Sequence, residues 1–411
     1  MHITWVIFIL VYVAMGLGKL PWLKIDRTGA AVVGAMALLA VGSISGEAAW
    51  AAMSYKTLGL LFGLMVICGA FSVSGFYAWT AHKVASLQVR PVVLLAVLVA
   101  VGGALAALLT NAVVVVAMTP LLVSITLARG LNPVPFLLAF CFAANAGSVG
   151  TVIGSPKNMI AAQALDVSFI ELLHVAGLPA LLSLPLVWGV VTLFYRGKWM
   201  LKDANNCRAK TAAVAAKLDV PETIKASLVM LVTVLLFVLD IWPQEVVALG
   251  AAGILLVNRS IASSDVLKEV DGNLLLLIMG LFVVNAAMST TGLPQQLLAD
   301  LKHMGVELTS PLALFWTSAV LSNIVGANPT VMLLVSYLPT GADAAVLCAA
   351  LTLGTGFASN IAIFSSLAGI VVVEEGKRCG VTISFMEFAK AGLPIAALCL
   401  VLSAFWLQWV R

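Results

Sequence analysis

LLTNAVVVVAMTPLL, residues 108–122, is an apolar run cut by one polar pair, Thr110-Asn111, and it continues an apolar stretch at 90–109 with no hydrophilic loop between them. Asn and Thr cap helix N-termini, and Asn tolerates turn geometry, so the pair can stop one helix and start the next. Inside a membrane such a break suits the tip of a re-entrant hairpin, because irregular backbone at that depth survives only where protein or a water-filled cavity surrounds it. The following helix meets Pro120, and Arg129-Gly130 returns the chain to the surface. LSNIVGANPTVMLL, residues 321–334, does the same with Ser322-Asn323, then Asn328-Pro329 and Thr330.

The composition puts these breaks in a bilayer. Of 411 residues 62% are hydrophobic and 10% charged, against roughly 45–50% and 25% in soluble domains. Apolar stretches able to span lie near 3–20, 28–45, 58–75, 90–109, 134–161, 172–195, 223–240, 242–258, 273–291, 310–327, 347–373 and 387–409, each close to the ~20 residues a crossing needs. The expectation is an all-α polytopic membrane protein of 11–12 spans. The first stretch, 1–27, has neither a basic start nor a small-residue cleavage site and reads as a retained helix. The six cysteines are scattered and imply neither disulfides nor zinc. The net charge of +4 is too dispersed for nucleic acid. Arg196 to Glu222 carries six Lys or Arg against three Asp or Glu, and positive loops stay cytoplasmic. It therefore reads as a cytoplasmic linker, 197–222.

The chain is also a repeat. FGLMVICGAFSVSGF, with Gly63 and Gly75, matches MGLFVVNAAMSTTGL, with Gly280 and Gly292, at an offset of 217. Ser168-Phe-Ile-Glu171 matches Ser384-Phe-Met-Glu387, Ala176-Gly-Leu-Pro179 matches Ala391-Gly-Leu-Pro394, and Asn111 pairs with Asn323. Each Ser-x-x-Glu predicts a capping box opening the last helix of its half. The repeats are 28–196 and 223–411, with hairpins near 110–128 and 322–345, unwound helices at 134–161 and 347–373, and short interfacial pieces at 76–87 and 293–304. Inversion needs an odd number of crossings between equivalent helices, yet six stretches separate 28–45 from 242–258 if the first is counted. One stretch must fail to cross, and the pair 223–240 and 242–258, joined through Pro243, is the suspect.

AANAGSVGTVIGSPKNMIA, from Ala143, and TLGTGFASNIAIFSSLAG, from Thr352, are the expected unwound segments. Unwinding frees carbonyls for a cation and amides for an anion. Asn145, Gly154, Ser155 and Asn158 in the first, with Ser359, Asn360, Ser365 and Ser366 in the second, supply neutral polar groups. Lone Ser or Thr residues elsewhere read as helix packing. Almost no carboxylate lies in these cores, which argues against a proton relay and a divalent-cation site. A small anion travelling with sodium fits better, with sodium near Asn111, Gly154 and Asn323. Lys157 either attracts the anion or snorkels to the surface. The four histidines form no catalytic set and no phosphate loop is present, so neither an enzyme nor an ATPase is indicated, and no cofactor is expected.

TNAVVVVAMTP, the GSPKN segment, LSNIVGANPTVMLL and the paired Ser-Phe-x-Glu and Gly-Leu-Pro motifs resemble the ion transporter superfamily, which includes arsenical-pump membrane proteins, divalent-anion sodium symporters, citrate transporters and some sodium/proton antiporters. The likeness covers nearly the whole chain and is strongest to the compact bacterial anion permeases. It implies a homodimer in the bacterial cytoplasmic membrane that moves its site elevator-fashion. It places Thr110, Asn111, Gly154, Ser155 and Asn158 in one half-site and Ser322, Asn323, Asn328, Thr330, Ser365 and Ser366 in the other. Ala112 stands where the arsenical pumps carry Asp, and Gly369 where relatives often carry Asn. The expected function is secondary active transport of a dicarboxylate or inorganic oxyanion. The alternatives are a sodium/proton antiporter, a metalloid efflux permease, or a receptor or enzyme that moves nothing.

Overall fold

The computed structural model describes residues 2–18, 25–201, 218–292, 296 and 307–410. Most of the linker and nearly all of the 293–304 interfacial piece lie outside the described residues. Those described form nineteen α-helices and no strand. In the first half these are α1 (His2–Leu17), α2 (Arg27–Ala40), α3 (Gly46–Ala52), α4 (Tyr55–Val73), α5 (Phe76–Ser86), α6 (Pro91–Leu108), α7 (Asn111–Ala128), α8 (Pro133–Ser148), α9 (Pro156–Leu165) and α10 (Phe169–Phe194). The second half holds α11 (Val220–Leu239), α12 (Gln244–Leu256), α13 (Ser263–Lys268), α14 (Gly272–Ser289), α15 (Pro311–Val325), α16 (Ala327–Val335), α17 (Ala344–Ala358), α18 (Leu367–Arg378) and α19 (Phe385–Trp409). Seven of them, α4, α6, α7, α10, α11, α14 and α19, are long and apolar enough to cross a membrane. The outer side of α11 leaves Ile224, Leu228, Leu231 and Leu235 uncovered by protein, as a lipid-facing surface requires.

The repeat holds element by element. Starts at 27, 46 and 55 recur at 244, 263 and 272, and α11 takes the place of α1. The contacts exchange as well. A methyl on Gly63 would stand 2.6 Å from the carbonyl oxygen of Ala248, and one on Gly280 would stand 2.9 Å from that of Ala31. Ala31 and Ala248 are repeat equivalents, separated by the same offset as Gly63 and Gly280. Each half thus lends one glycine so that α4 meets α12, and α14 meets α2, backbone to backbone.

Hydrogen bonds at the helix ends show that the halves are inverted. Tyr195 Oη, past the end of α10, donates to Glu387 near the start of α19 (3.0 Å). At the opposite end, Trp406 Nε1 donates to the Val175 carbonyl (2.7 Å). The two equivalent helices therefore run antiparallel. The same face that holds Tyr195 also joins Asn132 N–H to Trp199 O and Leu201 N–H to Gly130 O; it is called the linker face below, and the opposite one the far face.

α6 and α7 form the first hairpin. Arg129, at the end of α7, donates to the carbonyls of Leu87 and Val89 (3.1 and 3.2 Å), just ahead of α6, so the chain leaves by the face it entered. The hairpin thus occupies 91–128, wider than the 110–128 read from sequence, and 90–109 is its first arm. This corrects the suspected non-crossing pair. Without α6 the helices that run from face to face from α2 onward are α2, α4, the α8–α9 pair, α10 and α11, an odd number that keeps α11, which is long and apolar enough to cross. Hydropathy could not tell a hairpin arm from a span of the same length.

The second hairpin bends elsewhere than expected. α15 runs through Ser322 and Asn323 to Val325, and the break is Gly326 at φ 95°, a backbone region open chiefly to glycine. Asn323 is therefore not the counterpart of Asn111; its place is taken by Ala327, which starts α16 as Asn111 starts α7. The capping boxes differ too. Ser168 and Glu171 complete theirs, whereas Ser384 accepts from Glu387 N–H and the Glu387 carboxylate takes Tyr195 instead.

Candidate functional site

Four helices begin at one cavity. Asn111 starts α7, Ser155 to Lys157 start α9, Gly326 to Pro329 start α16, and Ser366-Leu367 start α18. All four groups line it, with Arg27, Leu277, Ser359 and Ser365. Each N-terminus points the positive end of a helix dipole at the cavity, so the wall is electropositive before any side chain is counted. Arg27 adds a guanidinium and Lys157 an amine, and no Asp or Glu among the described residues lines the space.

Side chains behind this wall fix the two unwound segments to each other. Asn111 N–H donates to Gly154 O (3.0 Å), and Asn111 Nδ2 to Asn145 Oδ1 and Ser148 Oγ (3.4 and 3.5 Å). Asn145 Nδ2 donates across the halves to Asn360 Oδ1 (2.9 Å) and Ser366 Oγ (3.3 Å). Asn158 Nδ2 binds the carbonyls of Ser148 and Thr151 (2.8 and 2.7 Å), strapping the break shut from within. Its Oδ1 is buried with no partner.

Gly369 occupies the equivalent position in the second half, as Ser366 answers to Ser155. A methyl on Gly369 would come 2.7 Å from the Ile363 carbonyl, so the second segment has no room for such a strap. It folds into the 3-10 turn Ile363–Ser365 instead.

The expected residues sort into two layers. Asn111, Ser155, Lys157, Asn328, Ser359, Ser365 and Ser366 reach the cavity. Thr110, Asn145, Gly154, Asn158 and Asn360 support it from behind. Thr110 is held by its N–H and Oγ1 against Cys68 Sγ (both 3.4 Å). Ser322, Asn323 and Thr330 mostly bond their own helices, donating to Ala319 O, Ala319 O and Gly326 O; Asn323 Oδ1 accepts from Ser365 Oγ (2.7 Å). Lys157 does not snorkel: it is 3% exposed, and its amine lies 3.1 Å from where a Cβ on Gly356 would stand. No carboxylate pairs with it among the described residues.

Sequence reading missed Arg27. Its Nε donates to Met15 O (3.0 Å) and its Nη2 to Phe364 O (3.1 Å), reaching from the start of α2 to the second unwound segment. Nothing near Arg27 breaks a helix, and a lone arginine at a helix end reads as a topology signal. Its equivalent in the second half is Gln244, so the repeat offered no hint.

Inverted hairpin repeats that meet at a polar cavity between unwound helices define a membrane transporter. A family profile described as "Citrate transporter" matches residues 5–356, and the chain belongs to that family, CitMHS. It is 28% identical to an uncharacterised transporter of Mycobacterium tuberculosis over 99% of this chain and 98% of the other. It is 35% identical to the silicon efflux transporter of Oryza sativa subsp. japonica over 40% of this chain and 34% of that one. The fold is that of the Alcanivorax borkumensis YdaH transporter, with a TM-score of 0.55 at 15% identity over 99% of this chain and 96% of that chain.

Proposed function

We propose that this protein is a secondary transporter of a small anion, a carboxylate or oxyanion, coupled to sodium and moving its site by an elevator motion in a bacterial cytoplasmic membrane. The observation that carries the reading is the cavity wall: four helix N-termini, the Arg27 guanidinium and the Lys157 amine, with no carboxylate among the described residues. Such a wall stabilises negative charge through backbone N–H groups and dipoles, and Arg27 adds a planar fork matched to carboxylate or phosphate oxygens. The same wall disfavours the antiporter, which would carry only cations, with no anion in the site to offset the positive potential.

Sodium travels as cargo. Supporting it are the unpartnered Asn158 Oδ1 and the neutral oxygens around it, hard donors of the sort alkali ions take. Asn323 supports a sodium role less, since its oxygen already accepts a hydroxyl.

Purified protein in liposomes tests this. Labelled citrate, succinate, phosphate and arsenite are offered under an inward sodium gradient, then with choline in place of sodium. Uptake of at least one anion that collapses in choline is expected. Uptake driven equally well by a pH gradient in choline overturns the sodium coupling. No anion movement, with sodium-dependent pH changes inside, overturns the anion reading.

A further inference from the structure

The two faces differ in charge where the repeat makes them equivalent. α2 begins at Arg27 toward the linker face and α12 begins at Gln244 toward the far face. Of five guanidinium donors, the hydrogen bonds to Met15 and Phe364 occupy two, leaving the rest for the cavity Arg27 lines. Gln244 lines a second cavity on the far face with Lys56, Asp166, Glu171, Asp240 and Glu245. There, four carboxylates face one ammonium. Glu245 is 5% exposed and pairs with nothing among the described residues, and Gln244 Oε1 is buried without a partner.

The two halves are inverted copies, so we take the opposite-facing state to be the one in which each half adopts the other's conformation. In that state the place Arg27 takes beside Phe364 and Gly326 would fall to Gln244 beside Ile153 and Thr110, the first-half equivalents of those partners. The site then loses the guanidinium and opens toward the far-face cavity, whose lining includes Glu245 and Asp240.

We infer that the transport site binds its anion more tightly when open to the linker face than when open to the far face, with Arg27 setting the difference. This rests on the anion reading above. With the linker in the cytoplasm, as its charge predicts, the tighter-binding state is the one open to the cytoplasm, while the sodium gradient still sets the direction of net transport.

The test is the KM at each face, measured by exchange of labelled citrate, succinate and phosphate at equal concentrations in right-side-out and everted membrane vesicles. The linker face is identified by reaction of the exposed Cys379 with an impermeant maleimide. A KM about tenfold or more lower at the linker face is expected, the size of one close charge at partial screening. Arg27→Gln should raise the linker-face KM toward the far-face value, and Arg27→Lys should raise it less. Glu245→Gln with Asp240→Asn should lower the far-face KM alone. Equal KM values at both faces of the wild type, or Arg27→Gln shifting both faces alike, overturns the inference. If no anion exchanges at all, the anion reading fails first, and that is seen before any sidedness is measured.

Discussion

The first hairpin has two arms of 18 residues and turns on Leu109-Thr110; the second has arms of 15 and 9 residues and turns on Gly326. Equivalent positions on α4 and α14 hold them. Cys68 offers the first tip one thiol. Asn285, its equivalent on α14, donates to Met332 O (3.1 Å) and accepts from Tyr12 Oη (2.8 Å). The backbone frame is thus duplicated while its polar chemistry is not. Symmetry locates the site, and the departures from symmetry determine what the site does.

Substitutions at equivalent positions should therefore give unequal results. The largest gap is expected between Gly392→Ala and Gly177→Ala. A Cβ on Gly392 collides with the Asn360 carbonyl, whereas one on Gly177 meets only the flexible Leu173 of its own helix. Overpacking against fixed backbone costs about 3 kcal/mol, so Gly392→Ala should lose most folded, active protein in a detergent melting assay while Gly177→Ala stays near wild type. Equal melting temperatures would break the comparison.

Next comes Asn111→Ala against Asn323→Ala. The first leaves Asn145 and Ser148 short of a buried donor, at a cost of about 1–3 kcal/mol, and uptake should fall at least tenfold. The second removes a bond to its own helix and one to Ser365, and uptake should fall only a few-fold. Lys157→Met should raise the anion KM about tenfold, or 1.4 kcal/mol, with folding intact, and an unaltered KM would remove Lys157 from the anion site. The smallest gap is Asn285→Ala, lowering stability by about 1–2 kcal/mol, against Cys68→Ala, which removes only a weak sulfur acceptor, by about half a kcal/mol or less. A larger loss at Cys68 would reverse the assignment of hairpin strength.

Much of this was legible because membrane sequences leave few reasons for polar punctuation. Thr110-Asn111, the GSPKN break and the Ser-x-x-Glu starts each had one plausible physical meaning, and each sits at a helix end. The second tip misled because Ser322-Asn323 has capping chemistry, yet its side chains turn back onto the preceding turn while an unremarkable Gly326 supplies the positive φ. The non-crossing stretch misled because arm and span share length and hydropathy. Arg27 was illegible for a different reason: its role depends on how α2 sits against the second half, a tertiary fact with no local pattern.

The exchanged glycine contacts, Gly63 on Ala248 and Gly280 on Ala31, have the form of an isologous interface, in which one surface patch meets its own copy. An ancestor built as two identical, oppositely inserted subunits would show that form, and in it any residue placed at one mouth must also stand at the other. Fusion into one gene lifts that constraint. Arg27 and Gln244 are what a duplicated position can become once the copies are free to diverge, and a carrier with two different doors is something no pair of identical subunits could have encoded.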